Sequence, residues 1–240
     1  MTVAIEKTVR ELALENPAST RVFEKLGIDY CCGGNVSLEQ ACRNANLAVD
    51  QVLSSLAQAE AAPATGKNRD WQSQPLAELI AHIQNTHHKF TRDEIARLGP
   101  LCEKVCSVHG KNHPELFRIY ELLQQLAQEL NGHLMKEEMI LFPYIKRIEA
   151  ASIAKERTPA APFGSVQNPI AMMEHEHDSA GNALRAMREA SNGYSAPADA
   201  CVSFQTLYRA LAEFETDLHQ HIHLENNILF PRAVAIESAR

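Results

Sequence analysis

An eleven-residue stretch occurs twice in this chain, as HLMKEEMILFP from His133 to Pro143 and as HIHLENNILFP from His221 to Pro231. Six of the eleven positions are identical, and the offset is constant, since 221 − 133 and 231 − 143 both equal 88. Each copy sets a His and a Glu four residues apart, which is one face of a helix. The pairs are His133 with Glu137 and His221 with Glu225. Two such pairs in register predict a metal site built from two halves.

Helical periodicity surrounds both copies. From Trp71 onward the chain carries four long helical patterns and no convincing strand. Helix A is expected over 75–98, helix B over 114–148, helix C over 169–190 and helix D over 199–236. Pro75, Pro114 and Pro169 stand where first turns begin, and Gly99-Pro100 is expected to end helix A. Turn-rich connectors separate the four, which predicts an antiparallel four-helix bundle at 71–240. Residues 1–58 predict a small helical domain, with short helices ending at Asn16-Pro17, over 19–26 before Gly27, over 37–44 and over 49–59. Between them, 59–70 is small, polar and Pro/Gly-containing, and reads as a linker. The fold class is all-α.

Seams locate the polar groups that must be buried. Helix B places Ile119, Leu123, Leu126, Leu130, His133, Glu137, Ile140 and Tyr144 on one inward stripe. Helix D does so with Leu211, Phe214, Leu218, His221, Glu225 and Ile228, and helix C with Ile170, Met173, His177, Ala180, Leu184 and Met187. A buried polar group without a partner costs about 1–3 kcal/mol, and an ionised carboxylate more. Two carboxylates and three imidazoles in one core therefore require a metal. At about 1.5 Å rise per residue, these side chains and those of His87-His88 fall at one depth of an antiparallel bundle. On helix A the run Ile80, Ile83, Phe90 favours His87 as the inward residue, whereas the offset from His177 (177 − 88 = 89) favours His88.

Other histidines are expected outside the cluster. His175 and His82 read as exposed or half-buried, His219 and His223 as solvated, and His109 and His113 as capping or surface groups. Imidazole with carboxylate suits iron, manganese or zinc. A zinc protease is excluded at His175, where the second His would fall on Ser179. Four imidazoles and two carboxylates exceed one tetrahedral zinc and suit two ions bridged by both carboxylates.

The bundle with its two His/Glu motifs resembles the hemerythrin-like domain. Joined to DYCCGG at 29–34 and EHD at 176–178, it is similar to the repair of iron centres family across nearly the whole chain. That resemblance implies two non-haem irons in an oxo-bridged centre held by His88, His133, His177, His221, Glu137 and Glu225, and so favours His88 over His87. Adjacent Cys31 and Cys32 can form a readily reduced disulfide or hold a metal or nitrosyl group transiently, and the resemblance implies that the pair matters. Cys102 and Cys106 are spaced to pair or to bind metal, while Cys42 and Cys201 read as packed small hydrophobes.

The implied function is repair of iron–sulfur clusters after nitrosative or oxidative damage, by supplying iron and by binding or reducing nitric oxide. Proteins with damaged clusters would be partners, NO or O2 small ligands, and nitric oxide reductase the candidate enzyme activity. A hemerythrin-like O2/NO sensor or carrier is the alternative. A net charge of −7 excludes a broad nucleic-acid surface and a polybasic membrane anchor. With no signal-like N-terminus, no apolar run near the roughly 18 residues of a membrane span and six scattered cysteines, the chain reads as cytoplasmic. A homodimer is compatible with this reading.

Overall fold

The computed structural model describes residues 5–61 and 70–239, so most of the expected linker lies outside the described residues. Between Val9 and Ala61 lie four short helices: α1 (Val9–Glu15), α2 (Ser19–Leu26), α3 (Leu38–Asn44) and α4 (Val49–Ala61). Local signals bound three of them. Thr8 caps α1 and exchanges hydrogen bonds with Glu11, Ser37 accepts from the Gln40 N–H, and Gly27 closes α2 at φ +66°. Val9, Phe23, Tyr30, Leu38, Cys42 and Val52 pack these helices into their own apolar cluster.

Helix A is built from α5 (Leu76–Ile83) and α6 (Lys89–His109), and helix B from α7 (Glu115–Lys136) and α8 (Phe142–Ala154). Helix C is the single α9 (Gln167–Ala190), and helix D joins α10 (Val202–Leu224) to α11 (Phe230–Ser238). No strand occurs among the described residues, only one isolated bridge between Thr8 and Ser37. No helix there is long and apolar enough to cross a membrane. The start of helix A packs on the end of helix B, and the four run antiparallel in the cyclic order A, B, C, D.

The repeat reaches further than its eleven residues. Glu149 near the end of helix B accepts hydrogen bonds from the N–H groups of Leu76 (2.6 Å) and Ala77 (2.9 Å), capping helix A. Glu237, at 149 + 88, accepts from Val166 N–H at 3.0 Å and so caps helix C. Each carboxylate also meets the positive end of a helix dipole.

Helix A does not stop at Gly99-Pro100. It continues to His109 because Leu98, Cys102, Val105 and Cys106 bury a seam against α7. That burial outweighs the roughly 3 kcal/mol by which proline disfavours a helix interior relative to alanine. Pro100 is exposed. Pro100→Ala should therefore stabilise the protein by about 1–2 kcal/mol in urea denaturation, part of the gain being offset by a freer unfolded chain.

Three short π-turns interrupt the bundle helices, at Gln84–His88, Glu137–Leu141 and Glu225–Leu229. In each, the following N–H reaches five residues back, from Lys89 to Gln84, Phe142 to Glu137 and Phe230 to Glu225. Two of them directly precede Phe-Pro. Proline has no N–H and collides with the carbonyl four residues earlier, and a widened turn moves that carbonyl aside. Each turn inserts one residue into the helical phase. The inward stripe of helix B therefore passes from Glu137 to Leu141 (1% exposed), leaving Ile140 50% exposed, contrary to the unbroken periodicity.

The bundle core is split. One apolar cluster holds Leu98, Leu123, Leu130, Leu184, Phe214 and Leu218, and the other holds Leu79, Ile83, Phe142, Met173, Leu229 and Phe230. The π-turns lie at the level between them.

Candidate metal centre

A polar layer fills that level. His88, Glu137, His221 and Glu225 are 0% exposed, and His133 and His177 are 3% and 2%. Helix A contributes His88 from the last residue of its π-turn. His88 lies five positions after Ile83, so the turn carries His88 onto the stripe and sets His87 beside it. Helices B and D each contribute a His in α-helix and a Glu at the first residue of a π-turn, and helix C contributes His177.

Two donor groups form: His88, Glu137, His221 and Glu225, and His133, Glu137, His177 and Glu225. Within each, the donor atoms lie within 4.8 Å of one another, and both carboxylates belong to both groups. Glu225 faces His221 with Oε1 at 3.0 Å and His177 with Oε2 at 3.2 Å. Glu137 Oε2 lies 3.4 Å from both His88 Nε2 and His133 Nε2. The imidazoles meet nose to nose, with His88 and His221 Nε2 atoms 3.1 Å apart and His133 and His177 Nε2 atoms 3.0 Å apart. Two nitrogens about 2.1 Å from one cation at a right angle would be about 3.0 Å apart.

Electrostatics and hydrogen bonding point the same way. Both oxygens of Glu137 and of Glu225 are buried and lack a hydrogen-bond partner among the described residues. Four such oxygens in a packed core fit a cation and little else. Three imidazoles are held from behind. Nδ1–H of His88 donates to Glu138, that of His133 to Glu176 and that of His177 to Asn226, each at 2.8 Å, which turns Nε2 lone pairs inward. Burial opposes charge on His88, yet Glu137 and Glu225 outweigh it and push the imidazole up to about 10. His177 is likewise opposed by burial and raised to about 9, chiefly by Glu225. Burial pushes Glu225 up, but His221, His177 and His88 together hold it well below the usual carboxylate range.

The repeated phenylalanines serve this layer. Phe142 stacks on His88 (centroids 5.6 Å, planes 20° apart), and Phe230 stacks on His177 (6.1 Å, 4°). Each motif thus brings a His, a Glu and a flat apolar face for the imidazole of the preceding helix.

The thiol loop docks beside the layer. Asp29 accepts from the N–H groups of Cys31 and Cys32, both at 3.0 Å, and a Cβ on Gly34 would lie 2.8 Å from the Tyr30 carbonyl. The Cys31 and Cys32 sulfurs are 3.8 Å apart and not bonded, and Cys32 Sγ reaches the His177 carbonyl at 3.6 Å. Contact with Cys32 and burial push the Cys31 thiol up. Asn226, which accepts from His177, also donates to the Cys31 carbonyl at 3.3 Å, and Asn227 donates to the Tyr30 carbonyl at 2.9 Å.

Several outlying residues differ from expectation. His223 is buried and His219 half-buried rather than solvated, because Tyr30 packs on both rings (6.3 and 5.5 Å). Glu24 pairs with His219 at 3.0 Å. Cys201 is exposed rather than packed and meets His109 Nε2 at 3.1 Å. Cys102 and Cys106 are free buried thiols, the latter donating to the Leu116 carbonyl at 3.3 Å. His175 is exposed, and His82 stacks on Trp71 at 4.6 Å.

The hemerythrin HHE cation binding domain matches residues 79–233, and ScdA_N, a domain of unknown function, matches residues 5–60. A probable iron-sulfur cluster repair protein of Haemophilus influenzae is 37% identical over 229 residues, 95% of this chain and 97% of its own length. The iron-sulfur cluster repair protein YtfE of Escherichia coli O81 is 37% identical over 232 residues, 97% of this chain and 98% of its own. This chain belongs to the hemerythrin-like iron–sulfur cluster repair family. The cation-binding domain match spans all six residues of the buried His/Glu layer. The second element of the family, the N-terminal part, supplies the docked thiol loop.

Proposed function

We propose that this protein rebuilds iron–sulfur clusters damaged by nitrosative or oxidative stress, supplying iron from an oxo-bridged centre of two non-haem ions. The reading assigns His88 and His221 to one ion, His133 and His177 to the other, and Glu137 and Glu225 as bridges. One observation carries it: the four oxygens of Glu137 and Glu225 are buried, lack a donor among the described residues, and face four imidazoles. Such a centre supplies one-electron redox chemistry and an open position for a diatomic ligand, while its iron is also the cargo. The protein's own residues orient and insulate. Glu138, Glu176 and Asn226 hold three rings, Phe142 and Phe230 flank two of them, and apolar clusters pack on both sides of the layer.

The test is recovery of a damaged cluster enzyme with wild-type protein and with Glu137→Leu/Glu225→Leu; equal recovery would sink the repair role. Binding of NO or O2 is a second reading, favoured by a cavity of about 560 Å³ between helices B and C whose walls include His133, His177 and His221. Proteins with damaged clusters, in the cytoplasm, are the proposed clients.

Proton uptake gives an independent check. In metal-stripped protein His88 and His177 titrate near 10 and 9, against 6.5 for an ordinary imidazole, so both carry protons at pH 7. Raised values mean their stabilisation is present below pH 6.5 and lost as pH climbs through 9 and 10. Iron takes the same lone pairs, so loading at pH 7 should release about two protons, read with an indicator dye in weak buffer. Release should fade above pH 10, and no release at pH 7 would exclude these donors.

A further inference from the structure

The two halves of the bundle correspond by offsets of 88 between helices B and D and 89 between helices A and C. The acceptors behind the imidazoles follow the same rule. Glu138 behind His88 answers to Asn226 behind His177, since 138 + 88 = 226. Glu176 behind His133 answers to position 87 behind His221, since 176 − 89 = 87. At position 87 this chain has a histidine in place of a carboxylate. His221 Nδ1 is accordingly buried with no partner among the described residues. His87 lies parallel to His221 (centroids 5.8 Å, planes 10° apart) and turns its own Nδ1 to Asp217 Oδ1 at 3.0 Å. His221 is stacked upon, not held.

We propose that His87 makes the metal position between His88 and His221 the weaker of the two, and the source of the iron that leaves first. This rests on the two-ion reading above. Both positions share Glu137 and Glu225 and are equally buried, so the acceptors behind their imidazoles distinguish them. Glu176 and Asn226 support one position, and Glu138 alone supports the other. An acceptor at Nδ1 raises the donor strength of the ring and locks its orientation, and losing one commonly weakens metal binding about 10–100-fold.

The experiment loads the full chain with ferrous iron without air, then follows iron release into an excess of a coloured ferrous chelator. Wild-type protein should release iron in two phases of equal amplitude, with rates at least about tenfold apart. Stopping between the phases should leave one of two Mössbauer doublets. His87→Gln offers an acceptor to His221 and a donor to Asp217, and should slow the fast phase toward the slow one. Glu176→Ala should speed the slow phase, and Glu176→Gln should restore it. A single phase in wild type, or a fast phase unmoved by His87→Gln, overturns the inference. If His87→Gln fails to load, an unmoved slow phase in Glu176→Ala overturns it instead. Wild type holding fewer than two irons would overturn the two-ion reading itself, whereas two irons leaving at one rate would overturn this inference alone.

Discussion

Stripping the iron is expected to lower the melting temperature of this protein by about 10–15 °C. A ligand present at a thousand times its dissociation constant stabilises by about 4 kcal/mol, and each kcal/mol moves the midpoint of a chain this size by about 2–4 °C. The layer also makes the stripped state costly, because Glu137 and Glu225 are 0% exposed and are then left with imidazoles alone for partners. Replacing both with leucine offers no relief. Removing one side of a buried ion pair costs about 3–5 kcal/mol, so the leucines gain nothing from the imidazoles left behind. Glu137→Leu/Glu225→Leu removes both carboxylates from the layer, so chelator should not move its midpoint. Calorimetry with and without chelator reads both effects. Stripped and loaded wild type melting together would mean that these residues do not hold the metal.

Phe142→Ala is expected to cost about 3–5 kcal/mol, the range for emptying an aromatic site in a packed core. Its ring is 0% exposed within the cluster that closes one side of the layer. The same change removes the face on which His88 stacks, so iron occupancy should fall beyond what the stability loss explains. Phe142→Leu refills most of the volume without the flat face, and should recover stability better than occupancy. Urea denaturation gives the first quantity and metal analysis the second. Phe142→Ala costing under about 1 kcal/mol would show that the ring carries little of the packing.

Much of this was legible in the sequence, for identifiable reasons. A helix buries one stripe, so polar residues on that stripe mark themselves, as His133, His177 and His221 do. Pairing across an 88-residue repeat then places both glutamates at one level. What escaped was phase. A π-turn adds one residue without changing composition, so Ile140 counts as inward by periodicity and is half exposed in the fold. The same insertion explains why the run Ile80, Ile83, Phe90 favoured His87 although His88 reaches the cluster. The Phe-Pro following two of the turns was the available signal. Contacts between distant segments left no local trace. Tyr30 covers His219 and His223 from nearly two hundred residues away, and Glu149 and Glu237 cap helices that neither belongs to. Helix A passed its Gly-Pro pair because burial beyond it was worth more than the local penalty.

The docking of the thiol loop has a genetic consequence. Asn226 and Asn227 grip the carbonyls of Cys31 and Tyr30, which every residue type possesses, so this recognition is blind to what hangs from the chain at position 31. At position 31 sulfur is thereby separable from these two contacts. Serine at Cys31 should keep both carbonyl contacts and leave the loop seated, whereas serine at Cys32 also changes the contact of its sulfur with the His177 carbonyl.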